Sequence, residues 1–132
     1  MALKNLTWDK VKKNVLVQDL GSWKDIKLID NKIIEKDNIK DFLEQSKLLK
    51  MSADLNNAPR VILGKIEIYF YEKGDFIFDF NPETVTSPDS FKKLFDFIKS
   101  LAIKFKVKFN FYDETDFTIA LLQVNNESKL EW

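Results

Sequence analysis

Four stretches of this chain alternate large apolar and polar residues with a period of two, which confines the fold to a sheet with one buried face. Ile26 and Leu28 alternate with Asp25 and Lys27, and Ile66, Ile68 and Phe70 alternate with Lys65, Glu67, Tyr69 and Tyr71. Phe76, Phe78 and Phe80 alternate with Asp75, Ile77 and Asp79, and Val107, Phe109 and Phe111 with Lys106, Lys108, Asn110 and Tyr112. Successive side chains of a strand point to opposite faces, so each stretch buries one face and leaves the other wet. Twelve Phe residues against three Gly and three Pro supply a large core with few breaks. At 132 residues the chain is expected to form one α+β domain over residues 1–132.

Two helices are predicted between these strands. Asp37 or Asn38 can cap the first, whose Ile39, Phe42, Leu43 and Leu49 follow helical spacing. The second is better signalled. Ser87 offers an N-cap oxygen, Pro88 suits the first helical position, and Asp89 favours the positive end of the helix dipole. Phe91, Leu94, Phe95, Ile98, Leu101, Ala102 and Phe105 then form one stripe, with Phe97 at its edge. The polar segment from Met51 to Arg60 reads as a surface loop. Trp8 to Leu20 fits an edge strand or a short helix, and so does Phe117 to Val124 a strand or a helix.

The resulting order is strand, helix, strand, strand, helix, strand. It predicts a single-layer, mainly antiparallel sheet covered by two helices, in the βαββαβ order of a ferredoxin-like split βαβ fold, with extra N- and C-terminal segments. For the hairpin, a two-residue loop at Lys73-Gly74 would set Ile68 opposite Asp79 and mix the faces. A three-residue loop, Glu72-Lys73-Gly74, pairs Phe70 with Phe76, Ile68 with Phe78 and Ile66 with Phe80, and is the predicted register.

That register makes the wet hairpin face the candidate site. It sets Glu67 opposite Asp79, Tyr69 opposite Ile77 and Tyr71 opposite Asp75. Carboxylates facing each other across a ladder repel and lower stability. The pair can be a solvated face neutralised by Lys27, Lys65 or Lys108. It can be the two-acid site of a hydrolase. It can also be a surface for a basic protein partner, with Glu67, Tyr69, Tyr71, Asp75, Ile77 and Asp79 as the partner-binding residues, because aromatics are enriched at interfaces. A sheet that self-associates through its open face is a further alternative.

The chain contains no histidine and no cysteine, and Arg60 is its single arginine. Without the residues that carry most acid/base, thiol and zinc chemistry, no catalytic residue, cofactor or metal is expected. Lys+Arg and Asp+Glu are both 21, so the basic excess typical of nucleic-acid binders is lacking. An RNA-recognition sheet would carry stacking rings where Asp75, Ile77 and Lys27 stand, and a small residue at Phe76, so RNA is not an expected partner. Met1 to Lys13 has no apolar signal core, and no apolar run approaches the ~20 residues of a membrane span, so a cytoplasmic protein without membrane attachment is expected. Asp113, Glu114 and Asp116 form an acidic turn without the glycine and ligand spacing of a calcium loop, and Lys104, Lys106 and Lys108 read as a solvated basic run. Trp8, Trp23 and Trp132 read as packing residues, and an exposed Trp23 would extend an interaction surface.

Gly21-Ser22-Trp23-Lys24-Asp25-Ile26, Phe78-Asp79-Phe80-Asn81-Pro82-Glu83-Thr84-Val85 and the phenylalanine-rich helix after Ser87 resemble a loose class of small bacterial proteins, some of them similar to immunity proteins of polymorphic toxin systems. The resemblance spans most of residues 21–125 and carries no catalytic residues. It implies a non-enzymatic, one-domain protein that neutralises a toxin by binding it.

Overall fold

The alternating stretches assemble side by side, each burying its apolar face. A computed structural model describes residues 5–16, 23–29, 36–45, 49–51, 59–71 and 77–130. In chain order the elements are β1 (Asn5–Leu6), α1 (Trp8–Asn14), β2 (Lys24–Leu28), α2 (Lys36–Gln45), β3 (Leu49–Met51), β4 (Pro59–Leu63), β5 (Ile66–Tyr71) and β6 (Ile77–Phe80). A 3₁₀ turn at Pro82–Thr84 leads to α3 (Pro88–Phe105), β7 (Phe109–Asp113), β8 (Leu122–Val124) and β9 (Lys129–Leu130). Seven strands form one sheet in the order β3-β4-β5-β6-β2-β7-β8, antiparallel at every step, while β1 and β9 form a separate parallel pair.

Pairing aligns the apolar residues laterally. Ile26 faces both Phe78 and Phe111, Ile68 faces Phe80 and Val61, and Leu122 and Val124 face Phe111 and Phe109. All of these are buried. Over them lies α3, which touches β4 and β8 and so crosses much of the sheet. Its start follows the sequence reading: the Ser87 side chain accepts from the Ser90 N–H at 3.2 Å, and the Ser90 hydroxyl lies 3.0 Å from the Ser87 N–H. Its end is set by Lys106, which adopts the left-handed conformation at φ 56° and returns its N–H to the Ala102 carbonyl. Phe91, Leu94, Phe95, Ile98, Leu101 and Ala102 are buried. Phe97, expected at the edge of the stripe, is buried as well, with its ring 5.9 Å from that of Phe78. Phe105 meets Phe42 of α2 edge-on at 6.0 Å, which ties the two helices together.

Several expectations need correction. The bare βαββαβ order with two helices is not followed, because β3 and β4 intervene between α2 and β5 and a third helix, α1, precedes β2. Thr7 caps α1, and Val11 and Val15 behind it enter the core with Leu6. Asp37 and Asn38 lie inside α2, which starts at Lys36, and Leu49 belongs to β3. The expected loop ending at Arg60 gives way to strand at both ends, in Met51 and in Pro59-Arg60; residues 52–58 lie outside the described residues. Between β4 and β5 the chain turns on Gly64 and Lys65 alone, with Gly64 at φ 65° and Lys65 at negative φ. That two-residue turn, with glycine first, suits the twist of a hairpin. Of the segment left open between strand and helix, only Leu122–Val124 is strand, and residues 117–121 are irregular.

The hairpin register is also corrected. Ile68 faces Phe80, Tyr69 faces Asp79, Phe70 faces Phe78 and Tyr71 faces Ile77. The connection is therefore five residues, 72–76, rather than three, and its own structure lies outside the described residues. A slip of two residues keeps every apolar residue on its original face, so the core is indifferent to the change, but each wet-face partner is exchanged.

Candidate functional site

The wet face of the sheet carries one continuous lateral row. Reading across β4, β5, β6, β2 and β7, it runs Arg60, Tyr69, Asp79, Asp25, Tyr112. Two carboxylates do face each other, as the sequence suggested, but the pair is Asp25 and Asp79 on β2 and β6. Glu67 and Asp79 are only diagonal neighbours, about 7–8 Å apart at the backbone. The expected cross-strand pairing of those two acids is therefore absent.

Asp25 is half-buried, and its carboxyl is pushed up to about 6. Burial is the main cause; Glu114 and Asp113 add repulsion, and Lys27 opposes them. Asp79 is part-buried on the neighbouring strand, with its Oδ1 shielded from solvent. The central rung of the wet face is thus an acid pair held in a partly dehydrated setting.

Aromatic rings border that rung on both sides, and each is fixed by polar contacts. On the β5 side, the Tyr69 hydroxyl donates to Glu67 Oε2 at 3.2 Å, and Glu67 Oε1 pairs with Arg60 at 3.2 Å. The Trp23 ring, partly exposed, lies 5.9 Å from the Tyr69 ring and widens the aromatic border. On the β7 side, the Asn110 side-chain amide donates to the Tyr112 hydroxyl at 2.9 Å and accepts from Gln123 at 3.3 Å. Phe117 meets Tyr112 edge-on at 5.7 Å and remains 47% exposed. Lys27 places its ammonium 5.1 Å from the centre of the Phe117 ring.

The loop that presents Phe117 is built from the acidic turn seen in the sequence. Asp113 Oδ1 accepts from the N–H and hydroxyl of Thr115, and Asp116 Oδ1 accepts from the N–H and hydroxyl of Thr118. The Thr118 hydrogen bonds hold the Asp116 carboxyl below its usual range. Asp113 Oδ2 also meets the buried ammonium of Lys24, its register partner on β2, at 2.8 Å. These carboxylates organise the turn, and among the described residues no group of three or more His, Cys, Asp or Glu could hold a metal ion.

Of the residues singled out from sequence, Glu67, Tyr69 and Asp79 lie together on this face. Tyr71 and Ile77 face each other one rung further along the hairpin, and only their backbone is described. Asp75 lies outside the described residues. The sequence reading missed Asp25, Tyr112, Phe117 and Arg60 as members of the face. The alternation already placed Asp25 and Tyr112 on wet faces; what was missing was the lateral order that puts β2 between β6 and β7. Among the described residues no helix is long and apolar enough to cross a membrane. Comparison of the chain with protein-family models, with curated proteins and with solved structures finds no match.

Proposed function

We propose that this chain is a small, cytoplasmic, non-enzymatic protein-binding domain that engages its partner through the wet face of the sheet. The observation that carries the reading is the central row of that face, where the Asp25–Asp79 pair is bordered by Tyr69 and Tyr112. A half-buried carboxylate such as Asp25, repelled by Glu114 and Asp113, lowers the stability of an isolated fold, and ordered tyrosines are efficient contact residues because little side-chain freedom remains to be lost. Both features suit a surface completed by another protein. The toxin-neutralising role implied by the resemblance is one form of this reading, in which the partner is a toxin. The scaffold is best regarded as an elaborated split βαβ sandwich, a view supported by the adjacent order β5-β6-β2-β7 of the four alternating strands.

The test is affinity capture from lysate of the source cell, with the wild-type chain and a Tyr69→Ala/Asp79→Lys variant as baits and mass spectrometry as readout. A stoichiometric protein held by the wild type and lost from the folded variant is the expected result. A partner held equally by both would place binding on another surface.

A further inference from the structure

The C-terminal end of α3 borders a cavity that shares no residue with the wet-face row. We propose that this cavity binds a small aliphatic carboxylate, its anionic head held by Lys106 with the Asn125 and Asn126 side chains and its alkyl body lying against Ile103 and Val107. The site is independent of the protein-binding reading, and either can fail without the other.

The cavity has a volume of about 360 Å³ and lies between the last turn of α3 and the turn that follows β8. Small-molecule sites run from roughly 300 to 1,000 Å³, so it has room for a ligand of a few carbons. One part of its lining is aliphatic. Ala102 and Val107 are buried there, and Ile103 is 54% exposed beside them, although the other large apolar side chains of α3 pack inward. The rest of the lining offers nitrogen donors. The Lys106 ammonium has no ion-pair partner among the described residues. Asn125 Oδ1 accepts the Glu127 N–H at 2.8 Å, which leaves the Asn125 NH2 as the free half of that amide. The Asn126 side chain is engaged by nothing in the chain. Lys108 lines the cavity too but has an interaction of its own, so Lys106 is the available cation. No Asp or Glu is among the described lining residues. A cation and amide NH2 groups beside an aliphatic wall suit a carboxylate on a short alkyl chain. An ammonium ligand would face Lys106, and a wholly apolar one would cover these donors without pairing them.

The backbone supplies a separate argument. Lys106 ends α3 at φ 56°, and among the described residues it alone has a positive φ without being glycine. Glycine adopts that conformation without a Cβ clash, which is why it commonly follows a helix. Lysine thus stands where the backbone favours glycine, and what it adds there is an ammonium at the cavity.

The test titrates sodium hexanoate, its neutral isostere hexanamide, and acetate into the ¹⁵N-labelled full chain at neutral pH and low salt. Hexanoate is expected to shift the amides of Ile103, Lys106, Val107, Asn125 and Asn126 saturably, and to bind at least fivefold more tightly than either of the other probes. Lys106→Gly suits the left-handed backbone and so keeps the helix end intact; it should weaken hexanoate to the level of hexanamide. Lys104→Gln removes a lysine of the same helix turn that lies outside this lining, and should leave hexanoate binding within twofold of wild type. Equal binding of hexanoate and hexanamide would refute the anionic head, and equal binding of hexanoate and acetate the alkyl body. Shifts centred elsewhere, unchanged binding in Lys106→Gly, or equal losses in Lys106→Gly and Lys104→Gln would overturn the site itself, the last showing only a diffuse attraction of anions to surface lysines.

Discussion

Replacing Asp25 with asparagine should stabilise this protein, and the gain should depend on pH in a defined way. Asparagine keeps the size and shape of the carboxyl, exchanges one acceptor oxygen for a donor NH2, and removes the charge that the fold disfavours. The Asp25 carboxyl moves from its ordinary 3.8 to about 6 on folding, chiefly through burial on β2. At about 1.4 kcal/mol per pH unit, that displacement caps the cost of ionising it in the folded state at about 3 kcal/mol. The group is only half-buried, and solvent screening reduces the realised cost to roughly 1 kcal/mol. The direction follows from proton linkage. Below about pH 4 both folded and unfolded wild type keep the proton, so the charge costs nothing. Between about 4 and 6 the unfolded chain has lost the proton while the folded chain still holds it, so wild-type stability falls as pH rises. Above about 6 the cost is fully expressed. Urea unfolding of wild type and Asp25→Asn at half-unit steps from pH 3.5 to 7.5 measures the difference directly, and effects of carboxylates remote from Asp25 cancel in the subtraction. The expected result is near-equality at pH 3.5 and an advantage of roughly 1 kcal/mol for the variant at pH 7.5. A difference independent of pH, or a variant less stable than wild type at pH 7.5, would refute the account of Asp25 as a carboxylate ionised against the preference of the fold.

The remaining predictions concern the scaffold. Phe95 is 2% exposed on α3 beside Phe91, so Phe95→Ala should cost about 3–5 kcal/mol in urea unfolding; a loss below about 0.5 kcal/mol would mean the helix face is misplaced. Asp113→Ala strands the buried Lys24 ammonium and should cost about 3–5 kcal/mol, whereas Lys24→Met, which removes the charge itself, should cost distinctly less. Equal losses would show that packing, not charge, governs that pair. Ser87→Ala removes the N-cap of α3 and its reciprocal bond with Ser90, and should lower stability by about 1 kcal/mol; an unchanged denaturation midpoint would refute that role.

Local signals were legible in the sequence wherever the physics is local. The cap at Ser87, the proline after it and the apolar stripe of α3 specify that helix from within one segment, and the helix forms as read. Alternation specifies which residues of β2, β5, β6 and β7 face the core, since successive side chains must point to opposite sides. The β4–β5 hairpin left a signal too, in the apolar run Val61-Ile62-Leu63 followed by Gly64, a run that the sequence reading assigned to no element. The short helix α1 was left open because seven residues carry too little periodic pattern to exclude a strand.

The composition of the wet face was decided only by tertiary structure. A period-two pattern is blind to a slip of two residues: Phe80 serves as well as Phe78 opposite Ile68, yet the slip replaces Glu67 with Tyr69 as the neighbour of Asp79. The lateral order of strands is non-local in the same way. Nothing within Lys24–Leu28 states that its neighbours are β6 and β7, and that placement alone brings Asp25 against Asp79 and Tyr112. Burial energy fixes the faces because it acts on each residue's own side chain. It leaves partners on the solvent side to whichever register and strand order best close the core. The sequence therefore determined what this sheet hides, and the tertiary structure determined what it displays.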